Sequence, residues 1–471
     1  MDLAIIIISL ILLIFFAYKG FSLIFIAPLF AVIAALTSDY ASMPIYSELF
    51  MTKAAEYVKS YYPVFLLGAV FAKIMEEGGL AASVANKIVS VLGKERAILA
   101  VLLGCTVLTY GGLSVFVVAF VMYPFGAVLF KQADIPKRLL PALLWMGIFT
   151  YGMVALPGTP QIQNIIPAAT FGTNTWSGVG QGLLATVLYF GIAYFWITYR
   201  AKKLKASGEG YGKHILHEPD SDMGALPDWR LSAIPLLMVI IINLYVSNPF
   251  HWEWAYHWDE GILHEFAPLD LSLIVSKVGQ VEAIWSINVA LLISSVAAAF
   301  IGRKKLKRYG GIKHPMNAGA ISSTSAVLNV ASGYAFGCVI VALPAFALIK
   351  ETLMGISLGN TPLFSAIIST NIMVAITGSS SAGLMITVAN FGQEWLTWAN
   401  QVGMPLDVLH RIMCIASTGF DSMPHSGALV TLLAVCGLTH QKSYGDIFAV
   451  TLIKIFVGFI CLGAYMLFGL V

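Results

Sequence analysis

The chain has 471 residues, of which 58% are hydrophobic and only 11% are charged. A soluble domain carries about 25% charged residues, so this composition indicates a polytopic membrane protein surrounded by a lipid bilayer. The formal net charge of +3 gives no reason to expect nucleic acid as a partner. The five cysteines lie in apolar runs without a CxxC pair, and we interpret them as packing residues rather than disulfides or metal ligands.

The first 93 residues are predicted to form N-terminal scaffold helices. Residues 3–38 would be about 54 Å long as one helix, too long for a hydrocarbon core of about 30 Å, so two connected helices fit better. Residues 40–62 are mixed in polarity and are expected at the membrane interface, before a third helix from Tyr62 to about Ile74. The segment 80–93 is compatible with a crossing helix or an interfacial one.

Residues 94–198 are predicted to be the core of a first repeat, because uncharged sequence is interrupted there twice. Residues 97–130 carry no charged side chain, yet their centre at 109–114 reads TYGGLS. Leu139–Tyr199 is also uncharged and contains the Pro/Gly-rich stretch 156–164. Polar, helix-breaking sequence at membrane depth is tolerated where it is buried in protein or lines a cavity. In transporters such breaks form the binding site.

Residues 199–316 are predicted to contain a cytoplasmic loop, central helices and an external loop. The loop 199–230 holds six Lys/Arg residues, and basic residues recur from 303 to 313. Between them, the loop 249–282 holds six acidic residues and a single basic one, Lys277. The positive-inside rule places both basic loops in the cytoplasm and the acidic loop outside.

Residues 317–471 are predicted to be the core of a second repeat. Thr352–Gln393 is uncharged and long enough for two crossings of roughly 20 residues each. Its centre at 377–383 reads TGSSSAG, and the later stretch 421–427 reads DSMPHSG. Both sequences are typical of a broken helix or a re-entrant hairpin. Further helices are expected at 317–332, 335–355, 405–420 and 445–470.

The two cores are related by one offset. Shifting the sequence by 267 positions places Gly111 on Gly378 and also places Pro157 on Pro424. Because a Gly/Ser break and a Pro/Gly break share this offset, a true repeat is favoured over chance in a glycine-rich chain. The predicted fold is therefore an all-α polytopic membrane protein with an inverted repeat, two re-entrant hairpins or broken helices, and about 10–12 transmembrane segments.

Hydroxyls, amides and exposed backbone dominate the four breaks. The N-terminal ends of broken helices present N–H groups and positive dipole ends that suit a carboxylate, so an anion can be held without a buried Arg or Lys. The competing interpretation is that Ser and Gly only allow helices to pack closely; for the cluster, substrate binding is favoured. The predicted substrate-binding residues are Thr109, Gly111, Gly112, Ser114, Gly158, Thr159, Gln161, Asn164, Asn371, Thr377, Gly378, Ser379, Ser380, Ser381, His425 and Ser426.

Asp421 and His425 are the predicted coupling residues. An acidic side chain inside a membrane segment is costly and is a functional candidate by default, and Ile412 to Gln441 contains no other carboxylate or amine. Asp421 could instead cap the helix after the break. Histidine exchanges protons near neutral pH, so His425 could carry a proton or be structural.

Several other functions are disfavoured. The Gly-rich stretch 208–213 lacks the first glycine of a phosphate loop, because Ser207 stands in its place, and no HExxH pair occurs. An intramembrane enzyme would need a polar catalytic set such as paired aspartates, and only Asp421 is found in the deep segments. A passive channel would leave the duplicated hairpins unexplained. We therefore predict neither enzymatic activity nor a metal or cofactor.

The break motifs resemble the gluconate permease family within the ion transporter superfamily, and the resemblance spans nearly the whole chain. The motifs are YGGLS at 110–114, PGTPQIQN at 157–164, GSSS at 378–381 and PHSGA at 424–428, with further similarity over 432–444. The resemblance implies proton-coupled uptake of a small hydroxy-carboxylate such as gluconate. It also implies a homodimer that works by elevator movement in the bacterial inner membrane.

The resemblance leaves the acid and the coupling ion open. Some members of the superfamily use sodium at Ser-Asn-Thr-like motifs, which Ser369-Thr370-Asn371 matches only loosely, so H⁺ is expected and Na⁺ stays the alternative. Few fixed charges in the core argue against a tricarboxylate. The competing function within transport is a sodium-coupled di- or tricarboxylate carrier.

Overall fold

The computed structural model describes residues 2–19, 21–36, 40–213, 226–263, 277–344, 346–357 and 360–471. Within these ranges the chain is helical and contains no β-strand. Helices satisfy every backbone polar group internally, which lipid requires because it offers no hydrogen bonds. Parts of two predicted loops lie outside the described residues, namely 214–225 of the loop 199–230 and 264–276 of the loop 249–282.

The first part of the chain forms eleven α-helical segments among the described residues. They are α1 (Asp2–Tyr18), α2 (Leu23–Leu36), α3 (Ser42–Pro44), α4 (Met51–Glu77), α5 (Leu80–Leu92), α6 (Ala97–Tyr110), α7 (Val115–Gln132), α8 (Leu140–Ile148), α9 (Tyr151–Val154), α10 (Ile166–Phe171) and α11 (Val179–Ala206). The later segments are α12 (Trp229–Ser247), α13 (Glu282–Leu306), α14 (Lys313–Ala342), α15 (Phe346–Gly355), α16 (Leu363–Thr377), α17 (Ser380–Gln401), α18 (Leu406–Ala416), α19 (Gly427–Cys436) and α20 (His440–Phe468).

Seven helices in the described residues are long and apolar enough to cross a membrane. They are Ser42–Glu77, Val115–Gln132, Val179–Ala206, Trp229–Ser247, Glu282–Leu306, Lys313–Ala342 and His440–Phe468. Shorter apolar helices, including α2, α16 and α19, add to these. The protein is therefore a multi-pass, all-helical membrane protein, as the composition predicts.

Two helix predictions near the N-terminus have different outcomes. The pair of helices in 3–38 is confirmed by α1 and α2. The expected start of a third helix at Tyr62 is wrong, because Ser42–Glu77 is helical throughout, with a π-helical stretch at Ile45–Phe50; the interfacial position of 40–62 stays a prediction. This helix buries aromatic side chains against α14, with the rings of Tyr57 and Tyr334 5.6 Å apart. Tertiary packing thus extends a helix whose local sequence is only mixed in polarity.

Helix α5 settles the segment 80–93, for which the sequence leaves both a crossing and an interfacial helix open. Its 13 residues span only about 20 Å, too short to cross the hydrocarbon core. Ser83 Oγ donates a hydrogen bond to Pro227 O at 2.6 Å, beside the start of α12. The segment therefore lies at one side of the molecule.

The division of the second core into helices 317–332 and 335–355 is also wrong. Helix α14 continues from Lys313 to Ala342 through Gly333. Helix α4 packs along this whole stretch, since a Cβ on Gly319 would lie 2.7 Å from Val70 Cα and the ring of Tyr334 lies 5.6 Å from that of Tyr57. Glycine is used here for close helix packing rather than for a break.

The repeat relates helices as well as motifs. The 267-residue offset superposes α4 on α14, α5 on α15, α6 on α16, α7 on α17, α8 on α18, α10 on α19 and α11 on α20. The pairs α6–α7 and α16–α17 are the two hairpins. The pairs α8–α10 and α18–α19 are the two broken helices. The predicted broken-helix architecture is thus present in both halves.

The two repeats run in opposite directions. We define the basic face as the end of the molecule that carries Arg200 and the arginines and lysines of 302–313. Arg200, near the end of α11, pairs with Asp446 near the start of α20, with Nε and Oδ1 2.6 Å apart. At the other end of α11, Gly180 N donates to Val471 O at 2.8 Å. Helices α11 and α20 are therefore antiparallel, which makes the repeat inverted.

The two broken helices enter from opposite faces for the same reason. Just before α8, Arg138 pairs with Glu209 at the basic face, with Nε and Oε1 2.8 Å apart. Just inside α18, Asp407 lies beside Gly178, at the start of α11 and far from Arg200. Each hairpin therefore reaches toward the centre from the face at which its own broken helix begins.

Candidate functional site

The second part of each broken helix packs on the opposite repeat. Helix α10 lies against α17 and α18, and α19 lies against α7 and α8. Helix α8 also contacts α20, and α18 contacts α11. Both breaks are therefore enclosed by elements from both halves, and charges placed at them lie in the interior of the protein.

The tip of the first hairpin is clamped to the first break. Tyr110 Oη donates to Pro157 O at 2.7 Å. The amide Nε2 of Gln161 donates to Thr109 O and to Leu113 O, both at 3.0 Å. One amide thus closes the turn between α6 and α7.

Helix α12 covers this tip at close range. A Cβ on Gly111 would lie 2.7 Å from Leu236 Cδ2, and one on Gly112 would lie 3.1 Å from Val239 Cγ1. Gly112 also has a φ of 90°, which favours glycine. The glycines predicted to bind substrate therefore have a local structural role as well.

The tip of the second hairpin packs on the second break. Gly378 has a φ of 60°, and a Cβ there would lie 2.7 Å from His425 Cδ2. Ser379 is the N-cap of α17 and accepts from Ala382 N at 3.4 Å. Ser380 Oγ lies 3.0 Å from the hydroxyl of Ser417, at the end of α18.

Arg411 fills the first break, although it belongs to α18 of the second repeat. Its guanidinium is completely buried and makes five hydrogen bonds. Nη1 donates to Val154 O at 2.8 Å and to Asn164 Oδ1 at 2.7 Å. Nε and Nη2 donate to Ser177 O, and Nη2 also donates to Thr175 O at 3.1 Å. All of these acceptors are neutral.

Small residues and an amide build this arginine site. A Cβ on Gly178 would lie 2.5 Å from Arg411 Cβ, so a glycine is needed where the guanidinium enters. Asn164 Nδ2 donates to Thr159 O and Thr175 O, while its Oδ1 accepts from Arg411 and faces His410 Nε2 at 3.4 Å. Asn164 therefore holds the unwound backbone around the charge.

The second break contains an ion pair instead. Asp421 is 3% exposed, and its Oδ1 lies 2.5 Å from Nζ of Lys454 in α20, which is 1% exposed. The ammonium also lies 5.4 Å from the ring centroid of Trp145 in α8, and Tyr189 Oη of α11 donates to Lys454 O at 3.2 Å. The N-cap of α19 is Ser426, so Asp421 does not cap the helix after the break.

The predicted site residues divide by how their polar atoms are used. In the first group, the polar side-chain atoms donate hydrogen bonds to backbone carbonyls of the protein; its members are Thr159, Gln161, Asn164 and Thr377. Within the described residues, buried atoms without a hydrogen-bond partner include Thr109 Oγ1, Asn371 Oδ1 and Ser426 Oγ, together with Ser369 Oγ and Thr370 Oγ1 beside Asn371. The second group retains unused capacity for a ligand.

The remaining predicted residues lie at the same four breaks. Ser114 is the half-buried N-cap position of α7, and Ser381 is buried in the first turn of α17 with its Oγ 3.5 Å from Ser379 Oγ. Gly158 N donates to Thr175 O at 2.9 Å, inside the backbone around Arg411. Each hairpin tip therefore meets the break of its own half, and substrate binding by these residues stays a prediction.

Sequence reasoning misses Arg411 and Lys454. The breaks do contain buried cations, although the sequence suggests that an anion could be held without a buried Arg or Lys. Lys454 is a lone cation in the long apolar run of α20, and Arg411 lies in a helix that leads directly into a Pro/Gly break. Intramembrane cations at such positions are functional candidates, so the signal is present in the sequence.

The comparisons with known proteins give a relative in sequence and a similar fold. No family model matches the chain. An uncharacterized transporter of Bacillus subtilis (strain 168), YxjC, is 40% identical over 484 aligned residues that cover all of both chains. The crystal structure of the Alcanivorax borkumensis YdaH transporter is similar in fold, with a TM-score of 0.57 at 14% identity over 90% of this chain and 89% of that one. This chain belongs to the same transporter family as YxjC.

Proposed function

We propose that this protein is a gluconate permease-type symporter that takes up a small organic monoanion, such as gluconate or another hydroxy-carboxylate, with protons. The observation that carries the proposal is the charge at the two breaks. Arg411 is buried among neutral acceptors, whereas Asp421 and Lys454 neutralise each other. The enclosed breaks therefore have a net charge of +1, which one carboxylate balances.

The polar atoms near the breaks suit a hydroxylated acid. Thr109, Asn371 and Ser426 offer buried oxygens without partners in the described protein. An unsatisfied buried polar atom costs about 1–3 kcal/mol, so a ligand that supplies the missing hydrogen bonds gains affinity. The N-terminal ends of α7, α17 and α19 face the breaks and add positive dipole ends for a carboxylate.

The inverted repeat supports an elevator mechanism in a homodimer of the bacterial inner membrane. The breaks and hairpins of the two halves interlock, whereas α4 and α14 form an antiparallel pair that packs mainly with α2 and α13 and touches the second hairpin at α17. Such a division provides a body that carries the substrate and a body that stays fixed. The basic face would then be cytoplasmic by the positive-inside rule.

Uptake into proteoliposomes tests the function. Purified protein is reconstituted and supplied with radiolabelled gluconate, 3-hydroxybutyrate, succinate or citrate under an imposed pH gradient or an imposed sodium gradient. The proposal expects accumulation of a hydroxy-monocarboxylate with an acidic exterior and without sodium. Sodium-driven accumulation of succinate or citrate would support the competing di- or tricarboxylate carrier and contradict the proposal.

The orientation is tested separately in intact cells. Cysteines are introduced at Lys205 in the basic loop and at Asp259 in the acidic loop. An impermeant maleimide should label the second and spare the first. The reverse result would turn the molecule over without changing its predicted substrate.

A further inference from the structure

Each break holds a buried cation at an equivalent place in the repeat. Arg411 Nη1 donates to Val154 O, at the C-terminal end of the short helix α9. The 267-residue offset places Val154 on Asp421, which binds Nζ of Lys454. The first break therefore presents a backbone carbonyl and the second a carboxylate to its cation.

A backbone carbonyl at the end of a half-helix and a buried carboxylate are both groups that bind cations. In transporters, unwound backbone carbonyls and the C-terminal ends of half-helices coordinate the coupling ion. Here the carbonyls of Val154, Thr175 and Ser177 surround a guanidinium, and the carboxylate of Asp421 holds an ammonium. The protein therefore supplies tethered cations at both places, and among the described residues no carboxylate at either break is left for a free sodium ion.

The two tethered cations differ in one property. A guanidinium stays protonated in proteins, so Arg411 is a fixed charge. A lysine amine releases its proton readily when it is buried, so Lys454 can exchange one. The Asp421–Lys454 pair thus has two accessible charges, zero with the proton and −1 without it.

We propose that Lys454 carries the coupling proton and that Arg411 is the fixed charge that balances the substrate, in an electroneutral symport of one proton with each monoanion. This inference rests on the proposed function. With substrate, the charges at the two breaks are Arg411 (+1), the protonated pair (0) and the anion (−1). Without substrate, they are Arg411 (+1) and the pair that has released its proton (−1). Both sums are zero.

The coupling of proton to anion follows from the two remaining combinations of proton and substrate occupancy. The empty core with the proton has a charge of +1, and the loaded core without it has a charge of −1. An uncompensated buried charge is strongly unfavourable, so these states should not move across the membrane. Proton and anion then travel together, and the proton leaves Lys454 Nζ when the substrate leaves.

The groups that face Lys454 do not alter this count. Asp421 is its partner, Tyr189 of α11 donates to its backbone carbonyl, and Cys461 lies near Tyr189. Trp145 of α8 contributes a ring rather than a charge. Arg200 and Asp446 form a neutral pair at the basic face. Lys137, a further buried cation, lies just before α8 and 5.5 Å from the ring centroid of Tyr123, near Cys436 at the end of α19.

Three further groups lie near Arg411 or the second tip. His410 is buried beside Arg411, which disfavours a second positive charge. Asp407, one turn before Arg411, is partly exposed at the start of α18. His425 lies against Gly378 and is the alternative proton carrier that the experiment must separate from Lys454.

The unmodified protein gives the first test in proteoliposomes, with the acid that the uptake assay identifies. One proton per monoanion means that each unit of pH difference supports about tenfold accumulation. At equal pH on both sides, an inside-negative potassium diffusion potential should leave uptake unchanged. Uptake driven by that potential, about hundredfold accumulation per pH unit, or a sodium requirement would overturn the inference but leave organic-anion transport standing.

The Lys454→Arg variant gives the second test. A guanidinium there keeps the pair neutral at all times, so only the loaded core can cross. Exchange of labelled for unlabelled substrate should stay within about twofold of the unmodified protein, whereas pH-driven accumulation should fall to equilibrium. Arg200→Lys, in the other acid–base pair between α11 and α20, should keep both activities.

A second variant tests the same inference if Lys454→Arg does not fold. Asp421→Asn combined with Lys454→Met removes the exchangeable proton and keeps Arg411, so it should also exchange without accumulating. Retained pH-driven accumulation in either variant overturns the inference, as does a His425→Gln variant that still exchanges labelled for unlabelled substrate but no longer accumulates it with a pH gradient. Failure of the unmodified protein to transport any of the carboxylates would instead count against the proposed function.

Discussion

The two helix breaks have the same place in the repeat but stabilise buried charge by different means. At the first, Arg411 comes from the opposite repeat and binds neutral acceptors only. At the second, Lys454 and Asp421 belong to the same repeat and form an ion pair. The first break therefore needs a defined backbone geometry, whereas the second needs only two complementary side chains.

This difference shows what the duplication retained. Helix lengths, hairpins and breaks recur at the 267-residue offset. The buried charges do not recur, because the residue at the equivalent sequence position of the other half is apolar. The pairs are Arg411 with Leu144, Asp421 with Val154, and Lys454 with Val187. The backbone is symmetric while the chemistry is not, as expected if one break fixes charge and the other exchanges it.

The largest effect is expected from Arg411→Met. The substitution leaves the buried acceptors of Arg411 without a donor. Each unsatisfied acceptor lowers the free energy of unfolding by about 1–3 kcal/mol, and the sum approaches the whole stability of a typical domain. We expect loss of the monodisperse protein in detergent, measured by fluorescence-detected size-exclusion chromatography.

Arg138→Met is the matched control for this prediction. Arg138 is also paired with a carboxylate, but its side chain and that of Glu209 are 32% and 41% exposed, so water can solvate both positions. It should elute as the unmodified protein does. Equal behaviour of the two variants would mean that Arg411 does not hold the first break together.

Asp421→Asn should have the next largest effect. It leaves Lys454 as an uncompensated buried ammonium, and breaking a buried pair in this way costs about 3–5 kcal/mol. Adding Lys454→Met should restore most of the thermal stability, since both charges are then gone. If the double variant melts below Asp421→Asn, as additive losses would require, then the two residues do not act as a pair.

Much of the fold could be predicted from the sequence because lipid leaves few alternatives. Charge-free runs and shared breaks identify the hairpins, and the structure places α6–α7 and α16–α17 within a few residues of them. The errors fall where packing overrides composition. The mixed segment 40–62 and the glycine-containing junction near Gly333 are both continuous helix, because α4 and α14 pack on each other.

The candidate site could be predicted by type of residue but not by role. Hydroxyls and amides at the breaks are visible in the sequence, yet sequence cannot tell that Gln161 is used to close a turn while Ser426 keeps a free hydroxyl. Arg411 could not be assigned to the first break, because it reaches that break from 247 positions beyond Asn164. The hydrogen-bond partners of Arg411 are determined by how the two halves pack together in the folded protein.

Gly378→Ala should weaken the second tip. A residue with a Cβ at this positive φ costs about 1–2 kcal/mol, and the added methyl would contact the ring of His425. We expect slower uptake and a lower melting temperature. Gly427→Ala is the control, because a methyl added there would have no atom within 4 Å and its φ is not positive. Equal rates for both would show that the tip tolerates displacement.

Ser426→Ala should have the smallest effect and acts on substrate alone. Its hydroxyl is buried and makes no hydrogen bond within the described protein, so removing it leaves no internal group unsatisfied. A hydrogen bond to a charged ligand is worth about 1.5–3 kcal/mol, so the apparent KM for the transported acid should rise at least about tenfold.

Ser90→Ala is the matched control for Ser426→Ala. Ser90 lies on α5, where its hydroxyl donates to Lys87 O at 2.9 Å, far from both breaks. Both variants should melt at the temperature of the unmodified protein, and only the first should lose affinity. An unchanged KM in Ser426→Ala would mean that the second break faces no substrate oxygen at this position, and the ligand would then be sought nearer Thr109 and the first tip, whose buried hydroxyl is equally unused.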